Sequence, residues 1–187
     1  MEEVAPPKQQ IMVSRSFGEL VTRYQDLEQA VVHYVTRAAE KLRNEGLKAH
    51  SLVVFAESNR FRKEDIQYTG SRVIPLATPT QDTRKLIGAA LAGLGDLYRP
   101  GILYKKAGVM LANLEDQTIH QEDLFVASDS AASKRLMAAM DSINRLQGRG
   151  TVFLAAAGVD QKRWQMRSDM KSAGYLYDWN TLKTVVA

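Results

Sequence analysis

The sequence predicts an α+β fold in which one four-stranded antiparallel sheet carries two helices on one face. Two long segments, 24–45 and 81–98, repeat apolar residues at helical spacing. The other apolar segments are short and have strand character. The segments with strand character are 11–20, 51–58, 71–80 and 102–114. The resulting order is β-α-β-β-α-β, the split β-α-β pattern, which leaves the second face of the sheet open.

The first strand and helix have clear boundaries. Pro6 and Pro7 disfavour regular structure, so residues 1–10 are predicted to be a linker. The strand "IMVSRSFGEL" ends near Gly18, and Gly46 lies where a glycine commonly ends a helix. The apolar face of the helix between them consists of Tyr24, Leu27, Val31, Tyr34, Val35, Ala38 and Leu42.

The second half of the domain repeats this pattern. Pro75 in the third strand predicts an edge strand or a bulge, and Asp82 is a candidate N-cap for the second helix. The predicted buried stripe of that helix is Leu86, Ala90, Leu91, Leu94 and Leu97. Its glycines, Gly88, Gly93 and Gly95, lower helix propensity but allow close packing.

A change of composition after Phe125 predicts a linker and then a small tail. The stretch "VASDSAAS", residues 126–133, has the composition of a polar linker. A third helix is predicted over 134–147, and a turn with a short apolar strand over 148–158. The third helix is expected to bury one face made of Leu136, Met137, Met140, Ile143 and Leu146.

Composition excludes several classes of protein. With 187 residues, 45% hydrophobic and 25% charged, the chain has the profile of a folded domain. It has no cysteine, which excludes disulfides, thiolate zinc sites and a cysteine nucleophile and fits a reducing cytoplasm. No apolar run approaches the roughly 18 residues of a membrane span, so we expect a cytoplasmic protein without a membrane partner. The net charge of +4 permits a nucleic-acid partner without requiring one.

No enzyme signature is present in the sequence. It contains no GxGxxG, no GxxxxGK[ST], no GxSxG and no HExxH. Glu64 and Asp65 adjoin three basic residues in a polar connection, the pattern of a solvated loop rather than of an acid/base pair. His33 lies within the first helix, where an ordinary helical histidine is the simpler interpretation. We therefore predict no catalytic residue and no metal ligand.

Basic residues in two strands suggest an anion-binding surface. Arg15 lies between Ser14 and Ser16, and Lys105 and Lys106 precede Gly108. Hydroxyls, backbone N–H groups and basic side chains are the groups that hold phosphate oxygens, and Gly108 would allow close approach of another backbone. From composition alone, a strand with its charges in water is an equally good interpretation.

Three segments resemble the little-finger domain of Y-family translesion DNA polymerases. They are "SRSFGE" in the first strand, "PTQDTR" before the second helix and "YKKAGVML" in the fourth strand. The closest likeness is to the UmuC branch, the catalytic subunits of DNA polymerase V and their plasmid relatives. The later segments "EDLF", "MDSIN" and "WQMRSDM" resemble the tail of that branch. The resemblance runs from about residue 11 to the end of the chain.

The resemblance implies a domain organisation and a DNA-binding role. The little finger would cover 11–118, a clamp-binding motif and linker 119–133, and a UmuC-type tail 134–187. In the family the sheet lies along duplex DNA and grips phosphates without reading sequence. The residues implied in contacts with the primer-template duplex are Ser14, Arg15, Ser16, Lys105, Lys106 and Gly108. Thr80, Gln81 and Thr83 would hold a further phosphate, because free N–H groups at a helix N-terminus favour an anion.

The stretch "QEDLF" is similar to a sliding-clamp binding motif. In that mode Gln121 enters a small polar pocket, while Leu124 and Phe125 fill a hydrophobic one. The common family pattern has Leu where this chain has Glu122, a departure that bears on affinity for the clamp.

The resemblance also implies partners for the tail and a location for the polymerase activity. The tail would dock a UmuD′-type accessory dimer or a RecA filament, with Trp164, Met166 and Trp179 as candidate anchors, although both tryptophans equally fit a packed core. Magnesium-binding carboxylates belong to the palm and fingers domains, and this sequence has neither. We therefore expect a fragment that has no cofactor and does not polymerise DNA on its own, whereas the full-length polymerase uses magnesium.

Two other classes of function were weighed against this one. A stand-alone α+β module could bind RNA or protein through the open sheet face, but RNA-binding sheets carry exposed aromatic residues that the central strands lack as a pair. A small hydrolase of the acylphosphatase kind would need a phosphate cradle after the first strand. "GELVTRYQD" offers Arg23 but no glycine-rich loop.

Overall fold

The computed structural model describes residues 8–119, 128–158 and 164–165. It confirms the predicted β-α-β-β-α-β order. The main elements are β1 (Gln10–Val21), α1 (Tyr24–Asn44), β2 (Leu47–Ser58), β3 (Thr69–Thr80), α2 (Thr83–Leu97), β4 (Tyr104–Asp116) and α3 (Ala131–Leu146). A single 3-10 turn follows at Ala155–Ala157. Among these residues, none of the helices combines the length and apolar character that a membrane span requires.

The four strands form one sheet in the order β1-β4-β2-β3, and every neighbouring pair is antiparallel. The last strand in sequence therefore lies inside the sheet, between β1 and β2. The sequence alone had left open whether the first and fourth strands are neighbours. They are paired directly, with Ser14 opposite Gly108 and Arg15 opposite Ala107.

Each strand pair of the sheet has one register shift, and the shift between the inner strands β2 and β4 lies between Glu57 and Ser58. β3 is an edge strand, and its Pro75 lies opposite Ser51 beside a register shift, as the proline predicted. β1 forms the other edge, and its pairing with β4 shifts between Ser16 and Val21.

The core lies between the sheet and the two helices α1 and α2. Alternate residues of each strand point to the helices, and the apolar stripes of the helices meet them. The largest fully buried side chains of this core are Tyr104, Phe17, Leu27, Leu42, Leu52, Leu86, Leu94 and Leu111. The predicted faces are confirmed, except that Tyr24 and Leu91 are only partly buried.

The predicted helix ends are also confirmed. The Asp82 carboxylate accepts a hydrogen bond from the backbone N–H of Arg84 at 2.8 Å, and Gly46 has a φ of +67° after the end of α1. The three glycines of α2 differ in their surroundings. A Cβ at Gly93 would lie 2.5 Å from Ile74 Cδ1, whereas one at Gly88 or Gly95 would meet nothing within 4 Å. Close packing thus explains Gly93 alone.

The tail differs most from the predictions. α3 begins at Ala131, within the predicted linker, and it does not bury the predicted apolar face. Met137 is buried, but Leu136, Ile143 and Leu146 are exposed. The reason is that α3 turns polar side chains towards the domain, as described below.

The turn predicted within 148–158 is confirmed, but the short strand predicted with it is wrong. Gly148 and Gly150 have positive φ, and the chain then forms the 3-10 turn. The side-chain amide of Asn144 donates to Val152 O at 2.8 Å and accepts from Val152 N at 2.9 Å. The backbone hydrogen bonds of Val152 are thus made to a side chain rather than to a neighbouring strand. Further along, Trp164 is buried and Gln165 O accepts a hydrogen bond from Gly18 N at 3.2 Å.

Candidate nucleic-acid interface

The sheet face opposite α1 and α2 is the candidate nucleic-acid interface, called the open face below. Strand alternation and register assign its residues. They are Met12, Ser14 and Ser16 of β1; Lys106, Gly108 and Met110 of β4; Val53, Phe55 and Glu57 of β2; and Ser71 and Val73 of β3. Its middle is apolar, and hydroxyl and charged groups lie towards one end.

Four predicted phosphate contacts meet at one corner of the open face. Ser14 lies opposite Gly108, and Ser16 lies opposite Lys106. The two serines and the lysine thus come from neighbouring strands although about 90 residues separate them in sequence. We call Ser14, Ser16 and Lys106 the phosphate corner.

The other two predicted cations, Arg15 and Lys105, lie at the rim of the sheet rather than on the open face. Arg15 lies opposite Ala107, whose side chain is buried under the helices. Burial raises the pKa of Tyr34 in α1 to about 12, and the nearby charge of Arg15 acts in the opposite direction. Lys105 Nζ donates to Phe17 O at 2.7 Å, within the irregular part of β1.

Lys106 is held by two residues that sequence analysis did not single out. Its Nζ lies 3.2 Å from Glu57 Oε1 and 5.8 Å from the centre of the Phe55 ring. Both partners come from β2, the other neighbour of β4. A phosphate at Lys106 would therefore compete with Glu57 for the ammonium. Only the strand register could have identified these partners.

Gly108 has a different role from the one predicted. A Cβ there would lie 2.4 Å from Ser14 Cβ and 2.5 Å from Phe55 Cζ. The space above the glycine is filled by the protein's own phenyl ring. Close approach by a DNA backbone is therefore not what requires a glycine at this position.

The predicted phosphate contact at Thr80, Gln81 and Thr83 is contradicted by the structure. Thr80 and Thr83 are buried, and the Thr80 hydroxyl donates to the Asp129 carboxylate at 2.7 and 2.8 Å. Gln81 N donates to Asp129 at 3.2 Å. Asp129 and the N-cap Asp82 thus already occupy backbone N–H groups at the start of α2 that a phosphate would need.

These residues also lie far from the phosphate corner. Thr80 is opposite Ala49 of β2, and Lys106 is opposite Glu57, eight residues further along the same strand. At about 3.3 Å per residue the two places are roughly 26 Å apart.

The start of α2 is instead part of what we call the polar junction, where residues 128–141 dock on the domain. Three carboxylates form it. Asp129 binds Thr80 and also Lys85 Nζ, at 2.9 Å. Asp82 accepts hydrogen bonds from the Ser133 hydroxyl and from Arg84. Asp141 receives two hydrogen bonds from Arg43, at 2.6 and 2.8 Å.

Arg43 connects three elements at this junction. Besides Asp141 of α3, its guanidinium donates to Gln81 O and to Thr83 Oγ1, each at 2.9 Å. Burial alone would raise the pKa of Asp82, but hydrogen bonds from Arg84 and Ser133 outweigh it and lower that pKa to about 2. The Asp82 carboxyl group is therefore charged near neutral pH.

The predicted clamp-binding residues Gln121, Leu124 and Phe125 lie outside the described residues, as do Met166 and Trp179. Trp164 is described, and it is not an exposed docking anchor. It is buried against the rings of His33 and Tyr34 in α1, with centroid distances of 5.4 and 5.9 Å.

A family model described as the impB/mucB/samB family C-terminal domain matches residues 8–124. The chain belongs to this family. The match covers every strand of the sheet and both helices that pack on it. A second model, described as a domain of unknown function (DUF4113), matches residues 134–185.

Curated relatives match almost the whole chain. It is 40% identical to UmuC of Salmonella typhimurium over 186 residues, which are 99% of this chain and 44% of the relative. It is 43% identical to MucB of Escherichia coli over 183 residues, 97% of this chain and 43% of the relative. The chain thus spans less than half the length of these relatives.

One solved structure with a similar chain is titled as a complex of the beta-clamp processivity factor and the little finger domain of PolIV. The similarity has a TM-score of 0.38 at 20% sequence identity, covering 63% of this chain and 99% of that one.

Proposed function

We propose that this chain is the DNA-gripping and clamp-tethering C-terminal part of a UmuC-like translesion DNA polymerase of the SOS response. The observation that carries the proposal is the phosphate corner. The chain is 40% identical to UmuC over 99% of its own residues and 44% of the relative's. In it, Ser14, Ser16 and Lys106 come together on a sheet face that the helices leave uncovered.

The composition of the open face suits binding without sequence preference. Hydroxyls and an ammonium group at the corner donate to phosphate oxygens, and Arg15 and Lys105 add positive charge at the rim. The middle of the face is apolar, with Val53, Phe55 and Met110 on adjacent strands. Apolar side chains cannot read the hydrogen-bonding pattern of base edges, so the affinity for DNA would not depend on its base sequence.

The same composition disfavours the RNA-binding alternative. RNA-recognition sheets stack two or three bases on aromatic side chains. Among the described open-face residues Phe55 is the aromatic one, and its ring is already packed over Gly108.

DNA binding is tested by fluorescence anisotropy with two primed duplexes of unrelated sequence, each titrated at several salt concentrations. We expect equal affinities for the two duplexes. Changing Lys105→Ala and Lys106→Ala together should weaken binding to both and reduce the slope of log K against log salt by about 2, close to one per lost phosphate contact. A charge-matched control, Lys41→Ala/Lys134→Ala, alters two exposed lysines away from the open face.

Two results would count against the DNA-binding proposal. One is an equal loss of slope in the control, which would mean that only net charge matters. The other is tighter binding to single-stranded RNA than to the primed duplex, which would favour the stand-alone RNA-binding module.

The clamp tether forms the second half of the proposal. Leu124 and Phe125 would fill the hydrophobic pocket of the clamp and Gln121 a polar one. Calorimetry with a bacterial sliding clamp should show saturable binding that Leu124→Ala/Phe125→Ala abolishes. Glu122→Leu restores the common family residue and should tighten binding. No binding by either the natural chain or the Glu122→Leu variant would exclude the tether.

The remaining partners and the chemistry rest on the family resemblance. A UmuD′-type dimer and a RecA filament are the proposed partners of the tail in the whole polymerase. The magnesium-dependent transfer reaction is proposed to take place in its palm and fingers domains. A primer-extension assay of this chain alone, with magnesium and nucleotides, should give no product.

A further inference from the structure

The connection between β2 and β3, residues 59–68, presents an aromatic ring to solvent. Phe61 is 86% exposed, the largest exposed fraction of any large apolar side chain in the described part of the chain. Two exposed arginines, Arg60 and Arg62, flank it in sequence. A single exposed apolar side chain is common on proteins, so the surroundings of Phe61 decide what it signifies.

Hydrogen bonds within the connection hold its backbone in an ordered turn. The Asn59 side chain accepts from Phe61 N at 3.1 Å, and Asn59 O accepts from Arg62 N at 3.1 Å. The side-chain nitrogen of Gln67 lies within 3.3 Å of three backbone carbonyl oxygens, those of Asn59, Arg62 and Asp65. The backbone that carries the phenyl ring is thus ordered before any ligand binds, which lowers the entropy that binding would cost.

Arg60 links this connection to the phosphate corner through Glu57. Glu57 Oε1 lies 3.2 Å from Lys106 Nζ, and Glu57 Oε2 lies 3.9 Å from Arg60 Nη2. Because Glu57 belongs to the open face, Arg60 reaches that face from the end of β2. The side chains of Arg60 and Lys106 are 75% and 37% exposed, so a phosphate could approach both. Phe61, the next residue, is therefore continuous with the phosphate corner.

We propose that Phe61 stacks on an unpaired base of a DNA strand whose phosphates are held by Arg60 and Lys106. This inference rests on the proposed function, because it takes the phosphate corner to bind DNA. An aromatic ring beside cationic side chains is the combination that binds single strands, since every base has a π face and every nucleotide a phosphate. Bases within a duplex are covered by their neighbours, so the ring requires unpaired nucleotides.

The charge of the connection favours a nucleic acid over a protein partner. Residues 60–63 include three basic side chains, Arg60, Arg62 and Lys63. The two acidic residues that follow both lie near Arg62, at 3.1 and 3.3 Å. The positive charge beside the ring thus comes mainly from Arg60 and Lys63, which are exposed. The cores of protein–protein interfaces are depleted in lysine, whereas phosphates attract basic side chains.

The test compares primed DNAs that differ only in their unpaired template bases. One carries a single-stranded overhang of about ten nucleotides, within the range that single-strand binding proteins occupy. The other carries an abasic overhang of the same length, which keeps the phosphates and removes the bases. Fluorescence anisotropy measures both affinities, and circular dichroism checks the fold of each variant.

Three variants isolate the aromatic ring. Phe61→Leu keeps an apolar side chain without a ring, and Phe61→Trp restores an aromatic one. Ile66→Ala is the matched control, because Ile66 is 66% exposed in the same connection.

We expect the natural chain to bind the overhang with bases about tenfold more tightly than the abasic overhang, as stacking of one base on an aromatic side chain provides. In Phe61→Leu the ratio of the two affinities should fall to about one. Phe61→Trp and Ile66→Ala should keep the ratio of the natural chain.

The possible failures are distinguishable. An unchanged ratio in Phe61→Leu would overturn this inference alone, and weaker binding by Lys105→Ala/Lys106→Ala would show that the proposed function still stands. Equal loss by Phe61→Leu on both overhangs would also overturn it, because the ring would then contact something other than a base. No binding of either DNA by the natural chain would overturn the proposed function together with this inference.

Discussion

The core of the sheet domain and the polar junction are two contacts of opposite chemistry in one molecule. In the core, Leu52, Leu86 and Leu111 are fully buried among other apolar side chains. At the junction, α1 and α2 meet residues 128–141 mainly through carboxylates, hydroxyls and basic groups. Apolar burial is non-directional and tolerant of pH, whereas every polar contact depends on its partner and on its charge.

This difference indicates that substitutions in the two regions should destabilise the protein in different ways. Loss of an apolar side chain should weaken the whole domain, because the core is shared by all four strands and two helices. Loss of a charged group at the junction should release the tail while the sheet persists. The four predictions below test this separation, starting with the largest effect.

The largest effect is expected from Leu86→Ala in α2. Removing a fully buried leucine side chain should lower the free energy of unfolding by about 2–5 kcal/mol, through lost burial and the cavity that remains. Urea denaturation followed by circular dichroism measures the change. Phe61→Ala is the control, since that side chain is 86% exposed and its loss should stay within about 0.5 kcal/mol. Equal losses for the two variants would remove the basis for the comparison.

The next effect concerns the ion pair at the junction. Arg43→Met leaves the Asp141 carboxylate without its two hydrogen bonds and should cost about 2–3 kcal/mol, less than a fully buried pair because both side chains keep some exposure. Hydrogen exchange should become faster in α3 while β2 and β4 stay protected. Arg43→Met/Asp141→Leu should recover part of the loss. Uniformly faster exchange across the sheet would show that the junction is not a separate region.

Acid should act on the junction before it acts on the apolar contacts. The pKa of Asp82 is held at about 2, below the usual value of about 3.8, so its carboxylate stabilises the folded state above pH 4. That contribution, about 2 kcal/mol, should be lost as the pH falls from about 4 to about 2. Urea denaturation at pH 5, 4, 3 and 2 measures it, and Asp82→Asn should flatten the decline. An equally steep decline in the variant would assign the acid sensitivity to other groups.

The smallest effects come from two glycines of the same helix, and they sharpen the description of the core. Gly95→Ala should raise the free energy of unfolding by about 0.5–1 kcal/mol, because nothing lies within 4 Å of the new Cβ. Gly93→Ala should lower it by about 1 kcal/mol, since its Cβ would come 2.5 Å from Ile74 Cδ1. Thermal denaturation of both variants measures these changes, and a gain at both positions would mean that α2 packs less closely than described.

The sheet domain was predictable from the sequence because its signals are local. The apolar stripe of α1, the cap at Asp82 and the proline in β3 each depend on residues within a few positions of one another. These signals gave the number, order and approximate bounds of six elements. They could not give the pairing of β1 with β4, which joins residues about 90 positions apart.

The candidate site was predictable only in part, for the same reason. Residue type pointed to Ser14, Ser16 and Lys106. The position of Arg15 and Lys105 at the rim depends instead on which sheet face each strand residue points to, and this follows from the register. At the start of α2, the sequence indicated a free helix N-terminus. Asp129 lies 48 residues beyond Gln81 and binds its N–H, and no local pattern predicts such a contact.

The tail misled sequence analysis because amphipathic spacing does not identify the partner of a helix. The spacing of Leu136, Met137 and Ile143 predicted burial against the domain, yet only Met137 is buried there. Polar contacts from Ser133 and Asp141 orient α3 instead.

The position of β4 inside the sheet has a consequence for how the chain folds. Val21 ends β1 and Tyr104 begins β4, so 82 residues separate two neighbouring strands. A ribosome adding about 5–20 residues per second takes roughly 4 to 16 seconds to make that stretch. β2 is made within this stretch, and until β4 follows, β1 and β2 lack the strand that joins them and each exposes an unpaired edge to other chains. The central strand, made last, ends the interval in which the nascent domain is most prone to aggregation.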